Sequence, residues 1–176
     1  QKNAPSVQAS LEDALSRILG EPVTVTGCGR TDTGVHARDF RAHFNYSGNP
    51  LRCEGLAYKV NAILPHDIYV YDILPVPGNL HARFHAVSRT YRYFIRRNKE
   101  PFLESLTAAP GTYSPLLPDI DLMNKAAELL LGTHDFTSFS KLHAQTRTNI
   151  CTITEAYWFS MDLEMGASPL WVFQVT

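Results

Sequence analysis

Pro75-Val76-Pro77-Gly78-Asn79 constrains the fold of this chain more than any other stretch. Two prolines and a glycine within five residues cannot continue a helix or a central strand. The segment therefore predicts a boundary, with an N-terminal part at 1–78 and a C-terminal part at 79–176. A chain of 176 residues, 44% apolar, has enough material for two small packed parts and is too apolar for disorder. Cys28, Cys53 and Cys151 are far apart and form no C-x-x-C pair, which excludes a zinc ribbon or a disulfide framework and fits a reducing, cytoplasmic compartment. No run approaches membrane-span length and no signal-peptide pattern is present. Both ends read as cut, because the chain starts at Gln1 and stops inside an apparent strand.

Periodicity predicts the elements. Ser6 caps a helix to Leu19, with Val7, Leu11, Ala14, Leu15 and Ile18 as its apolar stripe and Gly20 as its stop. Residues 22–28 and 39–46 alternate as strands, the second through Phe40, Ala42, Phe44 and Tyr46. A helix is expected over 51–64, with Leu56, Val60 and Ile63 on one side, then a short strand over 68–74. Beyond the boundary, 89–97 reads as a strand with Tyr91, Tyr93 and Ile95 on one face and Arg92 and Phe94 on the other. Residues 98–120 read as a connection, and 121–131 as a helix with Leu122, Ala126 and Leu129 or Leu130 inward. Strands are expected at 150–159 and 170–175. Helices alternating with hairpin-like neighbours indicate mixed α+β with a largely antiparallel sheet.

Charge is segregated. From His81 to Lys99 the chain carries six basic residues and no acid, whereas its total is −1, so the remainder carries −7. Such a stretch suits a nucleic-acid-binding face, or a solvated strand whose arginines pair with acids elsewhere.

The block Gly29-Arg30-Thr31-Asp32-Thr33-Gly34-Val35-His36-Ala37 delivers one carboxylate into a glycine-flanked loop directly after a strand. Arg30 sits where it can meet a phosphate or hold an ionised carboxylate. Asp and Gly also make ordinary turns, so the spacing alone leaves both readings open.

This block resembles the catalytic-aspartate motif of the tRNA pseudouridine synthase A family. Further segments resemble the same family in order: Asn61-Ala62-Ile63-Leu64-Pro65-His66-Asp67-Ile68; His81-Ala82-Arg83-Phe84-His85-Ala86 running on to Arg89-Thr90-Tyr91-Arg92-Tyr93; and Gly132-Thr133-His134-Asp135-Phe136-Thr137-Ser138-Phe139 with Thr146-Arg147-Thr148. The resemblance implies the pseudouridine synthase fold, two related sheet-and-helix halves flanking a central cleft. It implies isomerisation of uridine to pseudouridine in tRNA, in the anticodon stem-loop region, by a homodimer without cofactor or metal. Asp32 is then the catalytic carboxylate, acting as nucleophile or as base, and Tyr91 contacts the target base. Arg30 enters the stem or orients the flipped nucleotide, and Arg83, Arg89, Arg92 and Arg147 hold phosphates. The family also has a strand before the first helix and a motif after the last strand, which supplies a basic partner for the aspartate; neither lies within these 176 residues.

Two other readings compete. A non-catalytic RNA-binding module is suggested by the basic strand with interleaved Tyr91, Tyr93 and Phe94. A metal-dependent hydrolase is suggested only by His81 and His85, four apart; no glutamate lies between them in the H-E-x-x-H sense, and His36, His43 and His66 are scattered.

Overall fold

A computed structural model describes residues 5–48, 50–96, 98–108, 119–140, 148–163 and 169–176. The architecture is α+β, and the paired strands in it form antiparallel sheets. The chain divides into two compact units, Gln1–Val87 and Ser88–Thr176.

In the first unit, helix α1 (Val7–Leu19) is set by its caps. The Ser6 hydroxyl accepts the Ala9 N–H at 3.2 Å, and Gly20 turns left-handed at φ 71° with its N–H on the Ser16 carbonyl. Leu11, Ala14, Leu15 and Ile18 reach the core as the spacing predicts. Val7 does not, because it lies in the first turn and is exposed. Strands β1 (Val25–Gly27) and β2 (Ala42–Phe44) form an antiparallel hairpin, with Val25 opposite Phe44 and Gly27 opposite Ala42. The expected strands over 22–28 and 39–46 shrink to these ladders for a physical reason. Alternate N–H groups of an antiparallel strand point to opposite edges. The Val23 and Val25 N–H groups point at α1, where Ser16 Oγ and Glu12 Oε1 accept them at 2.9 Å each. The outer edge of β1 is thus closed by a helix and not by another strand.

Helix α2 (Leu56–Asn61) is shorter than the expected 51–64. Leu56, Val60 and Leu64 point inward, an i, i+4 row; Leu64 replaces the expected Ile63, which is exposed. Over residues 68–74, expected as a short strand, Ile68, Val70 and Ile73 lie on the core and Tyr69, Tyr71 and Leu74 outside. They nevertheless form no ladder among the described residues. Asn61 takes the strand's place: its side chain accepts the Val70 N–H and donates to the Val70 carbonyl, both at 2.8 Å. The segment past the prolines is tied back to β2, since the Ala82 N–H donates to His43 Nδ1 at 3.1 Å and the His43 and His81 rings lie 4.6 Å apart.

The second unit is built on a three-stranded antiparallel sheet in which β7 (Leu170–Val175) lies between β3 (Tyr91–Ile95) and β6 (Ala156–Met161). β7 is central and correspondingly buried at Leu170, Trp171, Val172 and Gln174. The expected strand over 150–159 is two strands, β5 (Ile150–Ile153) and β6. The chain changes partner at Thr154 and Glu155, which bond to the Thr176 backbone at 2.9 Å each, so β5 pairs with β4 (Gly132–Asp135) and β6 with β7. Helix α3 (Ile120–Glu128) begins at the Asp119 cap and packs on β6. Its phase differs from the expectation: Leu122 and Leu129 are exposed, and Ala127 is buried. Asn124 decides this. Its side chain accepts the Trp158 N–H at 2.7 Å and donates to the Trp158 carbonyl at 3.1 Å on the open edge of β6, which turns the Asn124 side of the helix inward.

Each Asn clamp satisfies one donor and one acceptor of a strand edge, and a net hydrogen bond contributes about 1 kcal/mol. Replacing Asn61 or Asn124 by Leu is expected to lower stability by about 2–4 kcal/mol, since two backbone groups lose their partners. Urea denaturation of each variant checks this; a loss below about 0.5 kcal/mol contradicts the clamp.

Candidate active site

The loop from Cys28 to Arg41 joins β1 to β2 and carries the aspartate motif. Its base is closed by one more rung, the Cys28 N–H on the Arg41 carbonyl at 2.8 Å. Asp32 to Val35 is a tight turn closed by the Val35 N–H on the Asp32 carbonyl at 3.1 Å. Gly34 has φ 84°, the value that the third residue of a type II turn requires. The turn is therefore held by the Asp32 backbone, not by its side chain. The Asp32 carboxylate is exposed, and among the described residues it has no hydrogen bond or ion pair. This separates it from Asp39 in the same loop, which pairs with Arg41 at 3.0 Å.

Arg30 lies exposed on the same loop. Tyr91 opens β3 in the second unit, 61% exposed, with Tyr93 beside it at 57%. Neither ring is a core aromatic within that unit. On the opposite face of β3, Arg92 gives its Nε–H to Gln174 Oε1 at 2.7 Å, and the Gln174 amide donates to Glu155 at 3.3 Å. Gln174 is only 7% exposed, so this polar chain across the three strands holds a buried amide at both ends. Arg83 and Arg89 are exposed, and Arg147 lies outside the described residues. His81 and His85 do not share a helical face. They sit in a turn where the His81 N–H donates to His85 Nδ1 at 3.0 Å and the Arg83 N–H to His81 Nδ1 at 3.2 Å.

The segment Gly132–Phe139 contains an acid with a structural duty. Asp135 Oδ1 accepts both the Thr137 hydroxyl and the Thr137 N–H, which caps the short 3-10 turn Thr137–Phe139. These two bonds hold the Asp135 carboxyl below the usual aspartate range, the hydroxyl contributing most. Glu21 is lowered in the same way by the hydroxyl and N–H of Ser47. The spacing of the motif did not distinguish such hydrogen-bonded acids from Asp32; the bonding does.

A family model described as tRNA pseudouridine synthase matches residues 126–176. Among curated relatives, the chain is 46% identical over 177 residues to a tRNA pseudouridine synthase A of Porphyromonas gingivalis, covering 100% of this chain and 67% of that one. It is 42% identical to one of Parabacteroides distasonis and 43% to one of Bacteroides fragilis, covering 99% of this chain and 66% of each relative. The chain thus spans about two thirds of the length of these relatives. A hairpin presenting an unpaired carboxylate on a glycine turn in the first unit, and a sheet with exposed tyrosines in the second, define an α+β protein with a candidate acid or nucleophile. The chain belongs to the tRNA pseudouridine synthase A family. No helix among the described residues is long and apolar enough to cross a membrane.

Two tests follow from this geometry. Gly34→Ala places a side chain in the left-handed region and is expected to destabilise by about 1–2 kcal/mol, read as a lower urea midpoint together with faster proteolytic nicking in the loop. An unchanged midpoint and nicking rate contradict the turn. A carboxyl lowered by folding stabilises fully above its ordinary value, and that stability is lost as pH falls through the folded value. Carboxyl NMR titration is accordingly expected to place Asp135 below the ordinary aspartate midpoint, and Thr137→Ala is expected to raise it. Equal midpoints in the two proteins contradict the cap.

Proposed function

We propose that this chain carries the catalytic loop of an enzyme that isomerises uridine to pseudouridine in tRNA, with Asp32 as the reacting carboxylate. The supporting observation is a carboxylate held out on a glycine turn by its own backbone, with no partner among the described residues, in a chain of this family. The reaction breaks the C1′–N1 bond, turns the base and bonds C1′ to C5; the C5 proton leaves to water and N1 takes one up from water. Atoms and electrons balance within the nucleotide, so one carboxylate suffices, either as a nucleophile or as the base that removes the 2′ proton while an oxocarbenium-like sugar forms.

The remaining roles belong to the same reading. The substrate is tRNA, with the uridine in the anticodon stem-loop, and the base is flipped out at a cost of a few kcal/mol of stacking. Arg30 enters the stem or orients the extruded nucleotide. Tyr91, whose ring is open to solvent on β3, contacts the base. Arg83, Arg89, Arg92 and Arg147 hold phosphates, Arg92 through the nitrogens beyond the Nε committed to Gln174. The enzyme works in the cytoplasm, where tRNA is, and as a homodimer.

Tritium release from tRNA carrying 5-tritiated uridine, measured in EDTA, checks this. The protein is expected to release tritium, and Asp32→Ala is expected to bind tRNA normally while losing at least about 10³-fold in turnover. Undiminished release by the variant removes Asp32 from the chemistry. Binding without release by the parent protein leaves a non-catalytic RNA-binding module.

A further inference from the structure

We propose that Gly27 and Phe40 form the seat that positions the Asp32 loop, Phe40 acting as a positioning residue for the carboxylate. The inference rests on the reading of Asp32 as catalytic. A loop as long as that from Cys28 to Arg41 needs more than one backbone rung to hold a carboxylate in place, because a misplacement of about 1 Å can cost about 10²-fold in rate. The exposed Asp39–Arg41 ion pair at the base contributes little.

The Phe40 ring does more. It lies on Gly27, where a Cβ added to the glycine would come within 2.8 Å of Cε1 and 3.2 Å of Cζ. Gly27 is not among the glycines with positive φ, so space and not backbone conformation requires glycine there. Phe40 is 43% exposed and is not one of the residues packed on the core of its unit. Its ring therefore serves the loop and not the core. Gly27 is the last residue of β1 and Phe40 lies two residues before β2, so the contact joins both stems of the loop diagonally across the Cys28–Arg41 rung.

The test is a double-mutant cycle of Gly27→Ala and Phe40→Ala, with Phe40→Leu as the conservative variant. Two readouts are taken: kcat and KM for tRNA by tritium release, and hydrogen exchange of the Val35 amide, which reports the Asp32 turn. Gly27→Ala brings a Cβ against the ring and, at 3.3 Å, against the Gly29 carbonyl oxygen, with no change of φ required. Each single change is expected to lower kcat about tenfold, with KM for tRNA within about twofold, and to speed Val35 exchange. The double variant is expected to be no worse than either single, because both remove one contact, and Phe40→Leu is expected to recover part of the loss. Additive losses in the double variant, or Val35 exchange unchanged in Gly27→Ala, overturn the seat. If the parent itself releases no tritium, the catalytic reading fails separately, and Val35 exchange alone decides whether the seat holds the loop.

Discussion

Short strands with open edges are the constraint on which both halves of this chain depend. None of the ladders among the described residues exceeds six residues, and an unpaired edge leaves backbone groups in search of partners. Helix side chains provide them. Ser16 and Glu12 of α1 take two N–H groups along β1, Asn61 of α2 grips Val70, and Asn124 of α3 grips Trp158. In Asn61 and Asn124 the same chemistry recurs in the two units: an amide that accepts an N–H and donates to the carbonyl of one extended residue. Each clamp fixes which side of its helix faces the sheet. In the first unit the β1–β2 ladder and the Cys28–Arg41 rung hold the stems of the loop that presents Asp32.

The bonding also sorts the acids. Asp135 and Asp119 are engaged in local turns or caps, Glu21 in hydrogen bonds from Ser47, and Asp39 in an ion pair. Asp32 uses its backbone for its turn, which leaves the carboxylate for another purpose. A loop aspartate whose side chain is not needed to make its own loop is open to a substrate, and the Asp32 side chain is exposed to solvent.

Much of this was legible in the sequence where a signal is local. The α1 cap at Ser6, its stop at Gly20 and its apolar row follow from residues within a few positions of one another, as does the strand at 91–95. The Asp32 turn was legible through Gly34. What depends on distant partners was not. The strand at 150–159 breaks at Thr154 because the end of β7 offers it a new partner, and nothing in those residues announces that. The phase of α3 was misread because hydrophobic spacing favours Leu122 and Leu129, whereas a polar residue, Asn124, decides which side docks. The contact between His81 and His43, far apart in sequence, was not legible either. The seat of Phe40 on Gly27 was hidden in an alternating pattern that made Phe40 look like one more strand residue.

The measurement that tests the central claim most directly is nucleoside analysis of tRNA before and after incubation with the protein and with its Asp32→Asn variant. The account predicts that every uridine lost appears as one pseudouridine, with no change in the other nucleosides, and that the variant, which keeps the shape but not the charge of the side chain, leaves the tRNA unchanged. Conversion by the variant at the parent's rate, or uridine lost without pseudouridine gained, would contradict it.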